Sequence, residues 1–312
     1  MSPSPRSRTI RTAFLVNPAS AGGSTGRRWP ELAHRAAQLG LAGETFVSER
    51  AGQMAQLARD AAAAGYELLV VVGGDGTLNE VVHGIGDLED APELALVPRG
   101  TGRDFARSFG IGADFDAAVR VALAGETRTL DLGRVSYRAW SGEEAAGWFA
   151  NVAGAGISGA IAKRANDSSK ALGGRLSYLS AILAVFVRWQ VSTVVAEVDG
   201  ERREGPMHEV VVANGAFLGG GLHMCPEADA GDGLFDVLLL GHLTKRDLAL
   251  TLPKAYAGRH LPHPKAELLR GRVVTVDSEQ PLPVQLDGEQ PGTTPARFEI
   301  VPGALRLRVP RG

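Results

Sequence analysis

The sequence predicts an α/β protein in which a Rossmann-like domain with a parallel sheet precedes a domain built as an antiparallel β-sandwich. Two observations lead to this fold. The first third alternates apolar, strand-like runs with helical patterns, which is typical of βαβ units. After about Leu130, short strand-like segments follow one another between turns rich in glycine and proline, as in antiparallel sandwiches and barrels.

In the first domain we expect four strands, each followed by a helix. The predicted strands are Ile10–Val16, Glu44–Val47, Leu68–Val72 and Leu94–Val97, and the predicted helices are Arg28–Leu39, Met54–Ala64, one that starts at Thr77, and Asp104–Phe109. Ligands of parallel sheets bind beyond the carboxyl ends of the strands. The loops after the first, third and fourth strands are therefore the expected site.

The second domain is predicted from shorter segments. The predicted strands are Leu132–Ser136, Trp148–Val152, Val191–Val198, Glu209–Ala213, Leu234–Leu240, Val273–Val276, Val284–Leu286, Phe298–Val301 and Leu305–Val309, with helices near Gly174–Trp189 and Lys245–Tyr256. We place the first domain at residues 9–132 and the second at 133–302. The terminal segment 303–312 is expected to pack back on the first domain.

Composition excludes several classes of protein. The chain has 33 basic and 35 acidic residues, so its bulk charge favours neither nucleic acid nor strong electrostatic attachment to a membrane. No apolar stretch approaches the roughly 20 residues of a membrane span. A single cysteine, Cys225, cannot form an intrachain disulfide and fits a reducing compartment. We expect a cytoplasmic protein.

The most informative motif is Gly73-Gly74-Asp75-Gly76-Thr77-Leu78-Asn79-Glu80, directly after a buried strand. Its glycines permit backbone angles and close approaches that a Cβ would forbid. Thr77 and Glu80 have the spacing of a capping box, and the N–H groups of a helix start attract anions. An acidic group such as Asp75 in this turn makes most sense facing a metal ion or a donor hydroxyl. The motif therefore predicts phosphate chemistry.

Two other strand exits carry unusual loops. The first strand is followed by Asn17-Pro18-Ala19-Ser20-Ala21-Gly22-Gly23, and the fourth by Pro98-Arg99-Gly100-Thr101-Gly102-Arg103-Asp104-Phe105-Ala106-Arg107. One such loop is compatible with an ordinary turn. Three that converge on one sheet edge favour a binding site.

With these loops, the chain resembles the diacylglycerol kinase catalytic-domain family, which includes bacterial lipid kinases and relatives of sphingosine kinases. The resemblance runs from Asn17 to the terminal strand. Beyond the loops above it rests on Asp131-Leu132-Gly133, Phe149-Ala150-Asn151-Val152-Ala153, Ala213-Asn214-Gly215 through Gly221, Pro226 through Leu234, and Leu286-Asp287-Gly288-Glu289. It implies an ATP-binding domain, a β-sandwich domain, and an active site in the cleft between them.

The resemblance implies roles for matching positions. The residues expected to bind ATP are Asn17, Pro18, Ala19, Ser20, Ala21, Ser48, Gly74, Asp75, Gly76, Thr77, Leu78, Asn79, Glu80 and Thr101. Asp75, Asp104 and Asp131 match the family's acidic set that organises Mg²⁺ and water around ATP. Glu289 matches its proton acceptor, with Asp287 in the same turn. Asp229, Asp232 and Leu234 match a structural magnesium site, and oxygen ligands suit such a hard cation.

The implied function is an ATP-dependent lipid kinase that phosphorylates the hydroxyl of diacylglycerol or a related lipid alcohol. Its implied cofactors are ATP and Mg²⁺. Its implied partners are the lipid and, transiently, the inner membrane surface; homodimerisation is left open. Two alternatives remain at this stage. One is a phosphotransferase like NAD kinase, which shares the Gly-Gly-Asp-Gly-Thr turn, and the other is a nucleotide-binding relative that has lost transfer activity.

Several residues also have structural interpretations. Asp287-Gly288 has the sequence of a tight hairpin turn. The stripe Leu176, Leu179, Leu183, Phe186 and Val187 favours core packing over membrane insertion. Arg270 and Arg272 form the one local basic patch that we considered for docking on a membrane.

Two positions depart from the family pattern. Arg103 stands where most relatives have Asn, and it could contact an ATP phosphate or an acidic headgroup. Ser158 stands where relatives commonly have Asp, which leaves the acceptor preference on that side of the cleft open.

Overall fold

The fold begins with a parallel sheet. The structure is a computed structural model that describes residues 10–100, 102–167 and 174–311. Its first four strands are β1 (Thr12–Val16), β2 (Glu44–Val47), β3 (Leu68–Gly73) and β4 (Glu93–Pro98). They pair in the order β2–β1–β3–β4, and every pairing is parallel. The predicted Rossmann-like sheet is therefore present.

Helices cover both faces of this sheet. They are α1 (Ser24–Gln38), α2 (Gln53–Ala63), α3 (Asp75–Ile85), α4 (Asp104–Ser108) and α5 (Phe115–Ala124). Leu69 and Val71 belong to one hydrophobic cluster, whereas Val70 and Val72 belong to another. Because neighbouring residues of a strand point to opposite faces, this division means that β3 is buried on both sides. The sequence analysis missed α5.

The second part of the chain is dominated by antiparallel pairing. Its strands are β5 (Glu126–Ala139), β6 (Glu144–Phe149), β7 (Val152–Gly156), β8 (Ser192–Val198), β9 (Glu201–Ala213), β10 (Phe217–Leu218), β11 (Leu222–His223), β12 (Phe235–Gly241), β13 (Ala266–Gly271), β14 (Val273–Ser278), β15 (Pro283–Leu286) and β16 (Glu289–Val309). Its helices are α6 (Ile157–Asp167), α7 (Gly174–Phe186) and α8 (Lys245–Tyr256). The predicted segment Trp148–Val152 is in fact divided between β6 and β7, and both α6 and β13 were missed.

Two long strands join the two parts. β16 pairs antiparallel with β5 along most of both strands, and its Leu307 lies opposite Leu94 of β4 in parallel pairing. The predicted strands Phe298–Val301 and Leu305–Val309 are one strand whose register with β5 shifts between Val301 and Leu305. The end of the chain therefore extends the parallel sheet of the first part.

Helix α7 contains most of the apolar stripe named in the sequence analysis, but not every residue of that stripe is buried. Ile182 and Phe186 are buried in the core, whereas Leu183 and Val187 are 51% and 60% exposed. The interpretation as core packing holds for only part of the stripe. Within the described ranges, no helix is both long enough and apolar enough to cross a membrane.

Candidate active site

The exits of strands β1, β3 and β4 meet at one edge of the parallel sheet. The Asn17 side-chain amide donates to Thr77 Oγ1 over 2.9 Å, which ties the first loop to the start of α3. The Arg99 backbone N–H donates to the Gly73 carbonyl over 2.6 Å, which ties the fourth loop to the same turn. The structure therefore brings together the three loops that the sequence singled out.

Glycine is required where the third and fourth loops touch. A Cβ on Gly100 would lie 2.8 Å from the Gly74 Cα, closer than real Cβ contacts. A Cβ on Gly73 would lie 2.5 Å from the Thr77 Cβ. The backbones of the two loops are thus packed directly on each other, with no room for a Cβ at Gly73 or Gly100.

The predicted capping box is wrong. Helix α3 begins at Asp75 rather than Thr77, with Gly74 as an N-cap that provides no side-chain hydrogen bond. Thr77 Oγ1 accepts the Asn17 amide, and Glu80 Oε2 accepts the Met54 backbone N–H over 3.0 Å. The Glu80 side chain therefore caps the neighbouring helix α2 and not its own helix α3.

The first loop turns tightly before α1. Ala21, Gly22 and Gly23 all have positive φ, and the Ala19 backbone N–H donates to Asn17 Oδ1 over 3.0 Å. Ser20 Oγ lies 2.7 Å from Thr25 Oγ1 and donates to it. The hydroxyl of Ser20 is thus used within the loop.

Other residues expected to bind ATP have different surroundings. Pro18 lies in the first loop, where a Cβ on Gly26 would collide with it. Ser48 is buried at the exit of β2, and its N–H donates to the Val16 carbonyl. Leu78 is buried in α3. Thr101 lies outside the described residues.

Asp75 and Asp104 lie close together beside the glycine turn. A Cβ on Gly102 would be 2.9 Å from Asp75 Oδ2 and 3.6 Å from Asp104 Oδ2. Asp75 Oδ1 accepts the Phe105 backbone N–H over 3.3 Å. Asp104 Oδ2 accepts the Gly220 N–H over 2.6 Å, and Gly220 comes from the second part of the chain. This carboxylate pair therefore lies where the two parts meet.

Burial raises the pKa of both carboxyls, and the charge of Asp75 adds to the rise at Asp104. Burial raises the pKa of Asp75, against which backbone hydrogen bonds act. The pKa of Asp104 is raised to about 6, first by burial and then by the charge of Asp75. Two buried carboxylates held together in this way favour a nearby cation, because a cation would offset both effects.

The Asp131 carboxylate is held by backbone N–H groups of the second part of the chain. Its two carboxylate oxygens accept the backbone N–H groups of Gly233 and Gly303 over 2.8 and 2.9 Å. Among the described hydrogen bonds and ion pairs, none joins it to Asp75 or Asp104. In this structure Asp131 fastens two turns of the second part to strand β5.

The Asp287 carboxylate is likewise held by backbone N–H groups. It occupies a two-residue hairpin turn between β15 and β16, in which Asp287 and Gly288 both have positive φ. Its carboxylate accepts the backbone N–H groups of Ala150, Asn151 and Val152 over 2.9 to 3.0 Å. It also accepts the Asn79 side-chain amide of α3 over 3.3 Å. The predicted hairpin turn is therefore present, and its acid anchors it to both parts of the chain.

Glu289 follows directly in this hairpin. Its side chain is exposed, and its Oε1 lies 3.7 Å from the position that a Cβ would occupy on Gly76. The residue next to the anchored turn thus faces the first turn of α3 from the opposite side of the cleft.

The site matches a known family. A family model of the diacylglycerol kinase catalytic domain matches residues 11–135, and a model of the YegS C-terminal NAD kinase beta sandwich-like domain matches residues 151–309. The chain belongs to the diacylglycerol kinase family. Diacylglycerol kinases of Staphylococcus carnosus and Bacillus subtilis are both 27% identical to it, over 96% and 92% of this chain and 95% and 92% of theirs.

Solved structures share the fold. A diacylglycerol kinase and a putative diacylglycerol kinase, both from Bacillus anthracis, superpose with TM-scores of 0.74 and 0.78 at 21% identity. Each alignment covers 97% of this chain and 98% of the other. This diacylglycerol kinase family member thus has a mixed α/β fold with a β-rich C-terminal domain.

At the predicted structural magnesium site, arginine side chains pair with two of the predicted ligands. Asp229 is paired with Arg128, and Asp232 is paired with Arg270. Asp232 Oδ1 also accepts the Leu234 backbone N–H over 3.0 Å. Among the described residues, no group of three His, Cys, Asp or Glu side chains is arranged to hold a metal ion. The guanidinium groups already supply positive charge beside these two carboxylates. Magnesium binding at this place stays a prediction.

Sequence reasoning missed two contacts of Asp104 and the contacts of the Asn79 side chain. The Asn79 amide, expected at ATP, donates to the Asp287 carboxylate and to the Trp148 carbonyl. Gly220 and Arg107 both contact Asp104. A Gly-Gly-Gly run was visible in the sequence, but nothing local shows which carboxylate its N–H groups meet.

Arg103 adopts positive φ as the N-cap of α4 and lines a small cavity with Gly74 and Asp75. Asn and Asp adopt positive φ more readily than other non-glycine residues, so Arg at this position carries a small strain.

Proposed function

We propose that this chain is an ATP-dependent lipid kinase that transfers the γ-phosphate of ATP to the hydroxyl of diacylglycerol or a related lipid alcohol. The observation that carries the proposal is the position of Glu289 beside Gly76. It sets a carboxylate across the cleft from a glycine turn and helix start of the kind that binds phosphate. The family assignment supports the same class of reaction, because the curated relatives are named diacylglycerol kinases.

The proposed ATP site is the edge where the three loops meet. The backbone at the start of α3, around Gly74 and Gly76, would bind the phosphates, since a helix start favours anions. Residues 17–21 and Ser48 would line the remainder of the nucleotide. Arg103, in the same cavity as Asp75, would add a guanidinium to the phosphates.

Asp75 and Asp104 are the residues that fit Mg²⁺. Their carboxylates lie together, and burial raises the pKa of both, so a further positive charge beside them would be favourable. Mg²⁺ takes oxygen ligands and keeps several waters, so two carboxylates and the phosphates would suffice. When bound, the ion would neutralise charge on the phosphates. Asp131 would act on this centre only through the turns that it holds.

Glu289 is the proposed base. As the lipid oxygen bonds to the γ-phosphorus, the bond from that phosphorus to the bridging oxygen of ADP breaks. The proton of the lipid hydroxyl would pass to a Glu289 carboxylate oxygen. Asp287 would not serve, because its two oxygens already accept three backbone N–H groups. Its role is to position the hairpin.

The alternatives have less support. A phosphotransferase like NAD kinase is not favoured, because residues 11–135 match the diacylglycerol kinase catalytic domain. A silent relative would not need the acidic pair and Glu289, which binding of nucleotide alone does not require.

We propose that the membrane is contacted by the outer sides of α7 and α8. Leu183 and Val187 at α7 and Leu250 on α8 are all more than half exposed. Apolar side chains on exposed helix faces can insert among acyl chains, and the substrate of a lipid kinase lies in the membrane. Arg270, considered earlier for docking, is instead engaged by Asp232 and Asp236. Leu183→Glu with Val187→Glu should reduce co-sedimentation with lipid vesicles; unchanged sedimentation would remove this surface.

The test of the proposed function is direct. The protein is incubated with γ-labelled ATP and either a total lipid extract, 1,2-dioctanoylglycerol, or NAD. We expect label in a lipid phosphate monoester and in phosphorylated dioctanoylglycerol. Label in NAD alone, or ATP binding without label in any lipid, would contradict the proposal.

A further inference from the structure

An apolar cavity of about 120 Å³ lies in the β-rich half of the chain, between the sheet and helices α6, α7 and α8. Its walls include Ile161, Ile182, Phe186, Leu218, Leu248 and Leu252. The cavity is partly open to solvent, and its lining is almost entirely apolar. A cavity with such a lining suits a hydrocarbon chain.

One acid lies at this cavity. Glu209 of β9 is buried, and its two oxygens are bonded to Ser158: Oε1 to the hydroxyl and Oε2 to the backbone N–H, both over 2.7 Å. Strand β7 makes room for it with glycine. A Cβ on Gly156 would lie 2.9 Å from Glu209 Oε2, and one on Gly154 would collide with Oε1. The sequence around Glu209 thus accommodates a carboxyl where core residues are expected.

Tyr178 lies between this cavity and the loop that bonds Asp104. The Tyr178 ring covers Gly219 so closely that a Cβ there would overlap it, and the adjacent Gly220 donates to Asp104. The Tyr178 side chain also lines the cavity with Glu209. A molecule whose tail fills the cavity would therefore have its polar end near Asp104.

The surroundings of Glu209 keep it uncharged at neutral pH. Burial raises its pKa to about 8, against which only the two Ser158 hydrogen bonds act. The other titratable groups that line the cavity are Tyr178, His208 and His260. Burial raises the pKa of Tyr178 and lowers the pKa of both histidines, so all three are also neutral at pH 7. The described lining carries no charge at that pH.

We propose that Glu209 and Ser158 form a specificity site that hydrogen-bonds the glyceryl portion of an uncharged acceptor lipid, while one acyl chain fills the cavity. This rests on the proposed function. A neutral Glu209 donates its proton to Ser158 Oγ, which frees the serine hydrogen for an ester carbonyl of the lipid. An ionised Glu209 instead accepts the serine hydrogen, and the ester loses its donor.

The mechanism predicts a pH signature. In wild type, KM for 1,2-dioctanoylglycerol should be constant near pH 7 and rise as pH passes about 8. Glu209→Gln resembles the neutral acid, so it should keep KM at pH 7 within about threefold and abolish the rise. Glu209→Ala should raise KM about tenfold or more, because a polar group of the lipid loses its partner. Glu204→Gln, on the exposed part of β9, is the matched control and should behave as wild type.

A binding measurement independent of activity accompanies the kinetics. Diacylglycerol that carries a diazirine on one acyl chain is photolysed with the protein without ATP. We expect label on the cavity residues Ile182, Phe186 and Leu252 of α7 and α8, and not on the outward residues Leu183, Val187 and Leu250. Labelling confined to other residues overturns the cavity assignment, even if wild type phosphorylates no lipid and the proposed function fails.

The kinetics can also overturn the proposal while the kinase function stands. A Glu209→Gln enzyme whose KM still rises above pH 8, or a Glu209→Ala enzyme with the wild-type KM, would do so. So would a long-chain amino alcohol phosphorylated better than dioctanoylglycerol, since a cation would prefer the ionised acid. Circular dichroism of each variant separates these results from unfolding.

Discussion

The Glu289 carboxylate lies against the first turn of helix α3, with its Oε1 3.7 Å from the Cβ position of Gly76. The two residues are 213 positions apart in the printed sequence numbering, and they come from opposite parts of the fold. The Asp287 carboxylate anchors the intervening hairpin to Asn79 of the same helix. The arrangement therefore fixes a carboxylate at a constant place across the proposed phosphate site.

Two glycines of the turn should respond differently to alanine. A Cβ on Gly76 makes only ordinary contact, so Gly76→Ala should fold with wild-type stability. Its methyl group, however, would fill the space between α3 and Glu289, and we expect kcat/KM for ATP to fall about tenfold or more. Gly73→Ala should instead lose about 1–3 kcal/mol of unfolding free energy, because its Cβ would collide with Thr77. Urea denaturation and steady-state kinetics measure both; equal effects of the two variants would contradict this.

Removing the Asp287 carboxylate should mainly lower the stability of the fold, because this residue positions the hairpin. Asn tolerates the positive φ of this turn but offers one acceptor oxygen for three backbone N–H groups. We expect Asp287→Asn to lower the unfolding free energy by about 1–3 kcal/mol. Glu143→Gln, at an exposed position, is the control and should change it by less than about 0.5 kcal/mol. An Asn variant as stable as wild type would show that the anchor is dispensable.

Asp104 should impose a pH dependence on the metal-free, nucleotide-free protein. Its folded pKa of about 6 exceeds the ordinary value of 3.8, so between these pH values the folded state holds a proton that the unfolded chain has lost. The stability from this proton is present below pH 3.8 and is lost as pH rises through about 6. Asp104→Asn should remove this loss.

The measured quantity is the difference in unfolding free energy between Asp104→Asn and wild type at several pH values. It should grow in favour of the variant by about 1–3 kcal/mol between pH 4 and 7. If the unfolding free energies of the two proteins change in parallel with pH, burial and the charge of Asp75 do not raise the pKa of Asp104.

Arginines already pair with Asp229 and Asp232, the predicted magnesium ligands of the second part of the chain. We therefore expect that a divalent cation does not stabilise this part of the fold. Chelation of divalent cations should change the Tm of wild type and of Asp232→Asn by the same amount. Arg270→Ala should lower the unfolding free energy by about 1–3 kcal/mol, because the buried Asp236 carboxylate loses its cation. Arg128→Ala should lower it by less than about 1 kcal/mol, since its pair with Asp229 is exposed. A Tm that rises with Mg²⁺ and no longer does so in Asp232→Asn would place a cation there instead.

Much of the first part could be predicted from the sequence because its signals are local. Continuous apolar runs define β1, β3 and β4, and the edge at which parallel strands end follows from their direction. The family and the lipid-kinase class, predicted from ordered motifs, are confirmed by the family models and curated relatives. The capping box failed because spacing cannot reveal that Glu80 points to helix α2.

The second part was harder because its decisive contacts are between distant residues. The sequence shows Asp229 and Asp287 as acids in turns and Asp131 as an acid at a strand, but not that backbone amides and arginines already contact them. Glu209 drew no attention as an acid, since one acidic residue at the end of a predicted strand is ordinary. Its burial follows from the packing of β7, α6 and α7, which no local pattern specifies.

The central claim is that Glu289 accepts the proton of the lipid hydroxyl, and Glu289→Gln tests it most directly. The measurement is kcat with 1,2-dioctanoylglycerol together with the Kd for ATP, compared with wild type and with the exposed control Glu279→Gln. We predict that kcat falls by about 100-fold or more in Glu289→Gln while the Kd for ATP and the Tm are unchanged. A Glu289→Gln enzyme that keeps near-wild-type kcat would contradict the account, and the proton acceptor would then have to be sought elsewhere.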